Sequence, residues 1–169
     1  MKAKSFAGMR CSIAGALEAI GDRWSLLVIR DLSFGLSRFE ELRASTDIPA
    51  ATLAARLKHL EASGIVERVR YQERPPRDEY RLTGKGRNLW KVSVALREWG
   101  DRWDASGFGE PAVEMIDEET GHPVVLSLID AVTGEPVASS RARLRPGPGA
   151  DARTRDLLKL SHGSADRSA

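Results

Sequence analysis

Apolar side chains recur every three or four positions from Ser12 to Trp103, a spacing that predicts a run of helices. Ile13, Ala16, Leu17 and Ile20 share one face of a helix over Ser12–Ile20. Gly21 ends it, and Asp22 is placed to cap the next helix, Asp22–Leu32, in which Trp24, Leu27, Val28 and Leu32 are expected to be buried. Ser33-Phe34-Gly35 interrupts the pattern. Ser37 is the expected N-cap of a short helix over Arg38–Arg43, with Glu40 and Glu41 in its first turn and Phe39 and Leu42 turned inward. Pro49 suits the opening of another helix, since its missing N–H is not needed there. That helix runs to about Ser63 and stops at Gly64, and Leu53, Leu57 and Leu60 form its core stripe.

The period then changes from that of a helix to that of a strand. Ile65–Tyr71 alternates and is rich in β-branched residues, Gln72–Asp78 is a polar, proline-containing turn, and Glu79–Leu82 reads as the return strand of a hairpin. Thr83 caps a long helix from Gly84 to about Trp103, carrying Leu89, Val92, Leu96, Trp99 and Trp103. Helix, helix, helix, helix, hairpin, long helix is the order of a winged helix, with a helix-turn-helix at 38–63. Beyond a Gly/Ser linker at Ala105–Gly109, three short strands are expected at Val113–Ile116, Val124–Ile129 and Pro136–Leu144. Thr120-Gly121 and Thr133-Gly134 would turn a small β-meander, which Pro146-Gly147-Pro148-Gly149 ends. No internal repeat is read. The expected fold class is therefore α+β: a winged helix over 1–104, a strand-rich extension over 105–149, and a mobile polar tail over 150–169 with one helical turn at Asp156–Leu160.

Net charge sharpens this division. The whole chain carries only +2, but residues 1–104 hold 19 Lys and Arg against 14 Asp and Glu, and residues 105–169 hold 7 against 10. A +5 body is thus offset by a −3 appendage. Residues 43–91 alone carry 11 basic against 6 acidic side chains, so the excess sits on the helix-turn-helix and hairpin. Such a balance favours an anionic partner. One cysteine, Cys11, excludes an internal disulfide framework and a zinc site built on several thiolates. His59, His122 and His162 show no metal-ligand spacing. No apolar run is long enough to span a membrane, and Met1–Arg10 lacks the apolar segment of a secretory leader. There is no Ser/His/acid set and no phosphate-binding loop, and Gly84-Lys85-Gly86 reads as a helix start. Neither an enzyme nor a cofactor is expected.

Candidate DNA-contacting residues follow from helical geometry. With Leu53, Leu57 and Leu60 turned to the core, Ala51, Ala55 and Lys58 point outward, and Thr52, Arg56 and His59 lie on one flank. Small residues let a helix approach base edges, and an arginine reaches guanine or a phosphate. Arg38, at the start of the preceding helix, joins this set. Arg68, Arg70, Arg74, Arg77 and Arg81 decorate the hairpin, and Arg74-Pro75-Pro76-Arg77 forms a stiff tip that suits a backbone contact or a narrow minor groove. The same charges could equally be a solvated face, or a winged-helix module whose hairpin meets an acidic protein.

Several ordered blocks resemble one family. They are Cys11; Gly21-Asp22-Arg23-Trp24; Leu27 to Leu32; Arg38-Phe39-Glu40-Glu41-Leu42; and Leu53 through Arg56 and His59 to Gly64. The hairpin follows, from Tyr71 through Pro75-Pro76-Arg77 to Glu79-Tyr80-Arg81-Leu82-Thr83, and then Gly84-Lys85-Gly86. The region from Cys11 to about Trp103 is similar to the HxlR-type regulators, a winged-helix group related to the MarR regulators. The resemblance implies a bacterial, cytoplasmic, homodimeric regulator of double-stranded DNA, a repressor or an activator, open to a small-molecule or oxidant effector. Gly21-Asp22-Arg23-Trp24 has its own structural reading, a helix break followed by a buried indole. The helices Ser12–Ile20 and Gly84–Trp103 are the candidate dimer interface, since a single winged helix touches few base pairs and Trp90, Trp99 and Trp103 supply large apolar surface. Cys11 has two readings. A helix start and Arg10 favour a thiolate, and in the resembling family a cysteine here sometimes senses oxidants; alternatively it is an unreactive thiol packed at the dimer interface. The layout after residue 104 resembles a ribbon of longer family members, without that ribbon's cysteines.

Overall fold

A computed structural model describes residues 5–165. Residues 1–4 and 166–169, which belong to the leader and tail expectations, lie outside the described residues. Four helices come first: α1 (Ser12–Ile20), α2 (Ser25–Ser33), α3 (Phe39–Thr46) and α4 (Ala50–Ala62). A hairpin of β1 (Val66–Gln72) and β2 (Arg77–Leu82) follows, then α5 (Gly84–Arg87), α6 (Trp90–Arg102), a 3₁₀ turn at Ser139–Arg141 and α7 (Ala152–Ala165). The chain divides into two compact units, one over Ala19–Leu126 and one joining residues 5–18 with 127–165. The expected domain boundary at 104 lies inside the larger unit.

Of the residues that the helical periods turn inward, Val28, Leu42, Leu53, Leu57 and Leu60 enter the core of the larger unit, Trp24, Leu27, Leu32 and Phe39 are only half-buried, and Ile29 and Ile48 join from outside the predicted set. Val28 and Ile29 of α2, Leu42 of α3, and Leu53, Leu57 and Leu60 of α4 are fully buried together with Ile48 and Ile65. Ile20, Val66 and Leu82 complete it, and Trp24, Phe39, Tyr80 and Leu89 pack against it. Each such side chain contributes about 1.5–3 kcal/mol by leaving water. Ile48 sits in the turn between α3 and α4, where Asp47 adopts a left-handed conformation (φ 53°) and Pro49 takes the N-cap position of α4. That buried isoleucine ties the turn of the helix-turn-helix to the core.

Helix starts differ from expectation in their chemistry. Trp24 rather than Asp22 holds the N-cap position of α2; the Asp22 carboxylate, two residues before it, accepts the backbone N–H of Trp24 at 2.9 Å and of Ser25 at 3.1 Å, and the Ser25 hydroxyl. Ser37, likewise, is not the cap of α3. Arg38 occupies that position, and the Glu41 carboxylate reaches back to accept the N–H groups of Ser37 at 3.0 Å and Arg38 at 2.9 Å. Those two bonds, and then the Arg38 charge, hold the Glu41 carboxyl below its ordinary range.

The expected single helix over Gly84–Trp103 is broken. The Leu89 N–H donates to the Gly86 carbonyl at 3.1 Å, one residue closer than an α-helix requires, and the chain restarts at Trp90. The cause is tertiary. Gly86 lies so close to the hairpin that a Cβ there would fall 2.1 Å from the Ile65 carbonyl oxygen. The Thr83 hydroxyl donates to the Gly64 carbonyl at 2.7 Å and accepts the Gly86 N–H at 3.1 Å. The short α5 is thereby fastened to the base of the hairpin, and α6 sets its own direction.

After residue 104 the three expected strands do not form among the described residues. Two isolated bridges, Ile116 with Pro123 and Ile129 with Pro136, stand in their place. They close two copies of one turn, and this overturns the reading that no repeat exists. Ile-Asp-x-x-Thr-Gly-x-Pro occurs at 116–123 and again at 129–136. Asp117 accepts the Glu119 N–H and Asp130 the Val132 N–H, both at 2.8 Å, and Gly121 and Gly134 supply the left-handed residue in each. Each turn takes up eight residues, and the five between them, 124–128, form no ladder. Where a mobile tail is expected, α7 runs for 14 residues, opened by the Asp151 carboxylate accepting the Thr154 N–H at 2.8 Å.

Candidate nucleic-acid interface

α4 presents its N-terminal half to solvent as a surface of methyl groups. Ala50, Ala51, Ala54 and Ala55 are exposed, Thr52 is half-buried beside them, and Lys58 is exposed one turn further on. Two of the three flank residues, Arg56 and His59, have partners within the fold. Arg56 Nη1 lies 3.2 Å from Asp22 Oδ2, and both side chains are partly buried. His59 Nε2 lies 3.1 Å from the Ala19 carbonyl oxygen. Arg56 and His59 thus clamp α4 to the junction between α1 and α2. Burial raises the Asp22 carboxyl, but the bonds from Ser25 and Trp24 and the Arg56 guanidinium outweigh it, leaving the group below its ordinary range. Helical geometry put Arg56 on the flank; only the approach of Asp22, 34 positions earlier in the chain, decides which way it turns.

The hairpin is an antiparallel ladder with Val66 opposite Leu82 and Val69 opposite Glu79. Its register slips between Arg70 and Gln72, so Tyr71 is bulged. A third rung comes from the segment before α3: Arg38 bridges Glu79, and the Tyr80 N–H donates to the Ser37 carbonyl at 2.7 Å. The Arg38 guanidinium then lies over the Tyr71 ring, 5.1 Å from its centroid. Sequence reasoning misses this stacking, which attaches the start of α3 to the wing; the bulge that turns Tyr71 toward Arg38 has no local signature.

The five hairpin arginines separate into two groups. Asp78, half-buried, receives Arg68 Nη2 at 3.2 Å and Arg70 Nε at 3.0 Å, and Glu79 pairs with Arg81. The hydrogen bond to Asp78, with its charge, raises Arg70 further above its already high range. Arg74 and Arg77, at the tip, are exposed and have no ion pair among the described residues. Lys58 is likewise unpaired there. The cations of α4 and the hairpin tip without an ion pair among the described residues are therefore Lys58, Arg74 and Arg77, while Arg38, on its tyrosine, also lies 3.9 Å from the Glu41 carboxylate. Cys11 is exposed and its carbonyl accepts the Gly15 N–H at 3.0 Å, which places it at the N-cap of α1. No cluster of His, Cys, Asp and Glu that could hold a metal occurs among the described residues. No described helix is long and apolar enough to cross a membrane.

A helix-turn-helix is also what comparison with known proteins finds in this chain. Residues 19–107 match the model of the HxlR-like helix-turn-helix. The chain belongs to the HxlR-like family. An HTH-type transcriptional regulator of Mycobacterium tuberculosis, itself uncharacterized, is 38% identical over 138 residues, covering 82% of this chain and 87% of its own. That span exceeds the winged helix, so the likeness reaches into the extension. Among solved structures, PA1607, a candidate transcription factor, is 35% identical and superposes with a TM-score of 0.72 over 85% of this chain and 100% of its own. The redox regulator HypR in its reduced form is 33% identical, with a TM-score of 0.53 over 58% of this chain and 100% of its own. This HxlR-like chain is a transcriptional regulator of the helix-turn-helix type, and its family is one of regulators rather than enzymes.

Proposed function

We propose that this regulator is a cytoplasmic homodimer that binds double-stranded DNA sequence-specifically, with α4 in the major groove and the wing on the backbone or in the adjacent minor groove. The observation that carries the reading is the bare, methyl-lined face of α4 beside the unpaired cations of the wing tip. Ala51, Thr52 and Ala55 let the helix approach base edges, Lys58 and Arg38 meet phosphates, and Arg74 and Arg77 extend the contact beyond the helix. Arg70 adds charge to the wing but acts mainly through Asp78. Arg56 and His59 hold α4 at its angle.

Two copies suit this task because a two-fold axis sets recognition helices about 34 Å apart, one turn of the duplex. Val92, Trp99 and Trp103 support the pairing: they recur along α6 and just past its end, 38–64% exposed. Ile13 and Leu17 leave a second apolar stripe exposed on α1. Cys11 is the thiol through which an oxidant would act, in keeping with the likeness to HypR.

The test is selection of bound fragments from sheared genomic DNA at moderate salt, followed by titration of the enriched site. One sequence should be retained over bulk DNA, and Arg74→Ala and Arg77→Ala should each lower the slope of log affinity against log salt by about 1 with little change in base preference. Equal binding to every sequence would favour a protein-interaction module instead.

A further inference from the structure

α6 has two contrasting sides. At roughly 100° per residue, Trp90, Val94, Arg97 and Asp101 lie on one side, and Val92, Trp99 and Trp103 on the other, about 180° away. The second is the face assigned above to pairing. The first lines a cleft of about 720 Å³ within the larger unit, walled also by α2 and by residues 112–115. Its volume is that of a site for a small organic molecule. Leu27, Phe34, Trp90, Leu96 and Met115 make its surface mainly apolar.

Asp31 of α2 lines the same cleft and is 1% exposed. Its Oδ1 accepts Arg30 Nε at 2.8 Å and Arg30 Nη2 at 2.7 Å. Its Oδ2 is buried and has no hydrogen-bond partner among the described residues. A carboxylate oxygen stripped of water and left unmatched is costly, and a donor supplied from the cleft removes that cost. The lining carries three carboxylates, Asp31, Asp101 and Glu114, against two guanidiniums. Both guanidiniums are engaged, Arg30 with Asp31 and Arg97 with the Val113 carbonyl at 2.9 Å. An occupant must therefore bring an apolar body, an N–H donor and positive charge.

We infer that the cleft between α2, α6 and residues 112–115 binds an amphipathic organic cation, a protonated amine on an aromatic or aliphatic body, with its ammonium on Asp31 Oδ2. As an effector site this rests on the reading of the chain as a DNA-binding regulator.

The probe is 1-naphthylmethylamine, compared with 1-naphthylacetate, titrated calorimetrically into the full chain. The amine should bind one per chain, at least about tenfold tighter than the carboxylate on the same ring system. Asp31→Asn should lose that preference. Because a buried position can fail to fold, Asp101→Lys combined with Glu114→Lys, both exposed, provides a second variant, and it too should weaken amine binding. Equal affinity for the two probes, no binding of either, or amine binding undiminished in the rim variant would overturn the inference. So would amine binding that appears only when the protein is diluted to monomers, since a second copy would then be the occupant. Binding of the selected DNA keeps the two readings apart: wild type that retains the selected DNA but shows no preference for the amine sinks the ligand site alone.

Discussion

Arg56 is a guanidinium that the geometry of an isolated helix leaves free and that the fold captures. Its pair with Asp22 is partly exposed, so Arg56→Ala should cost about 1 kcal/mol or less, measured by urea denaturation, while leaving the base preference of the selected site unchanged. Asp22 carries a pH signature. Its carboxyl is held below the ordinary value of 3.8, so the stabilisation it contributes is present above that value and is lost as pH falls through its lower, folded value. Wild type and Asp22→Asn should therefore differ most above about pH 4 and converge in stronger acid. At Cys11 the expectation concerns chain pairing. Mild hypochlorite should join two copies through a Cys11–Cys11 disulfide, with two electrons passing to the oxidant, and Cys11→Ser should show no such species on a non-reducing gel. Oxidised wild type that stays wholly unlinked and binds DNA unchanged would remove the sensor reading.

Among elements, the joint between the hairpin and the last two helices of the winged helix is the least forgiving. Gly86 meets the Ile65 carbonyl, a backbone atom that cannot step aside, whereas a Cβ at Gly84 would find its nearest neighbour, the end of Arg87, at 3.9 Å. Gly86→Ala should lose about 1–3 kcal/mol in chemical denaturation, and Gly84→Ala should stay within about 0.5 kcal/mol of wild type. The two glycines stand two apart in the same short run, and both read alike as a helix start. The hairpin shows a similar contrast. Its two strands and polar turn are visible as a change of period, but the division of five arginines into three neutralised and two free depends on where Asp78 and Glu79 fall in the register. A slip of one residue would exchange the two faces of the ladder.

On the scale of the whole molecule, the proposals assign different sides of α6 to different tasks. If Val92, Trp99 and Trp103 form the pairing face, Trp99→Glu should shift sedimentation to a monomer while the helical circular dichroism persists. Affinity for the selected DNA should then fall by about 10²-fold or more, because the second half-site is no longer held at high local concentration. An unchanged dimer would place the interface elsewhere. The charge distribution belongs to this scale too. The +5 of residues 1–104 is reduced locally by ion pairs on the wing strands, so the field at the candidate DNA face comes from a few unpaired groups rather than from the total.

The amino-acid sequence by itself determined the helices through α4, the hairpin, the core stripe of Leu53, Leu57 and Leu60, and the wing-tip cations. All are local matters: a period of 3.6 or 2, a cap, a turn residue, or the presence of charges in a polar loop, though not which of those charges are paired. Only the tertiary structure decided that Arg56 and His59 turn inward, that Arg38 stacks on Tyr71, that Gly86 breaks the last long helix, and that one oxygen of Asp31 is left unmatched beside an apolar cleft. Each of these depends on a partner brought close by folding from a distant part of the chain, and no pattern of neighbouring residues specifies such a distance. The extension shows the same limit from the other side. Its repeated Ile-Asp-x-x-Thr-Gly-x-Pro turns were written in the sequence, but spacing alone did not reveal that the chain there pairs only through isolated bridges.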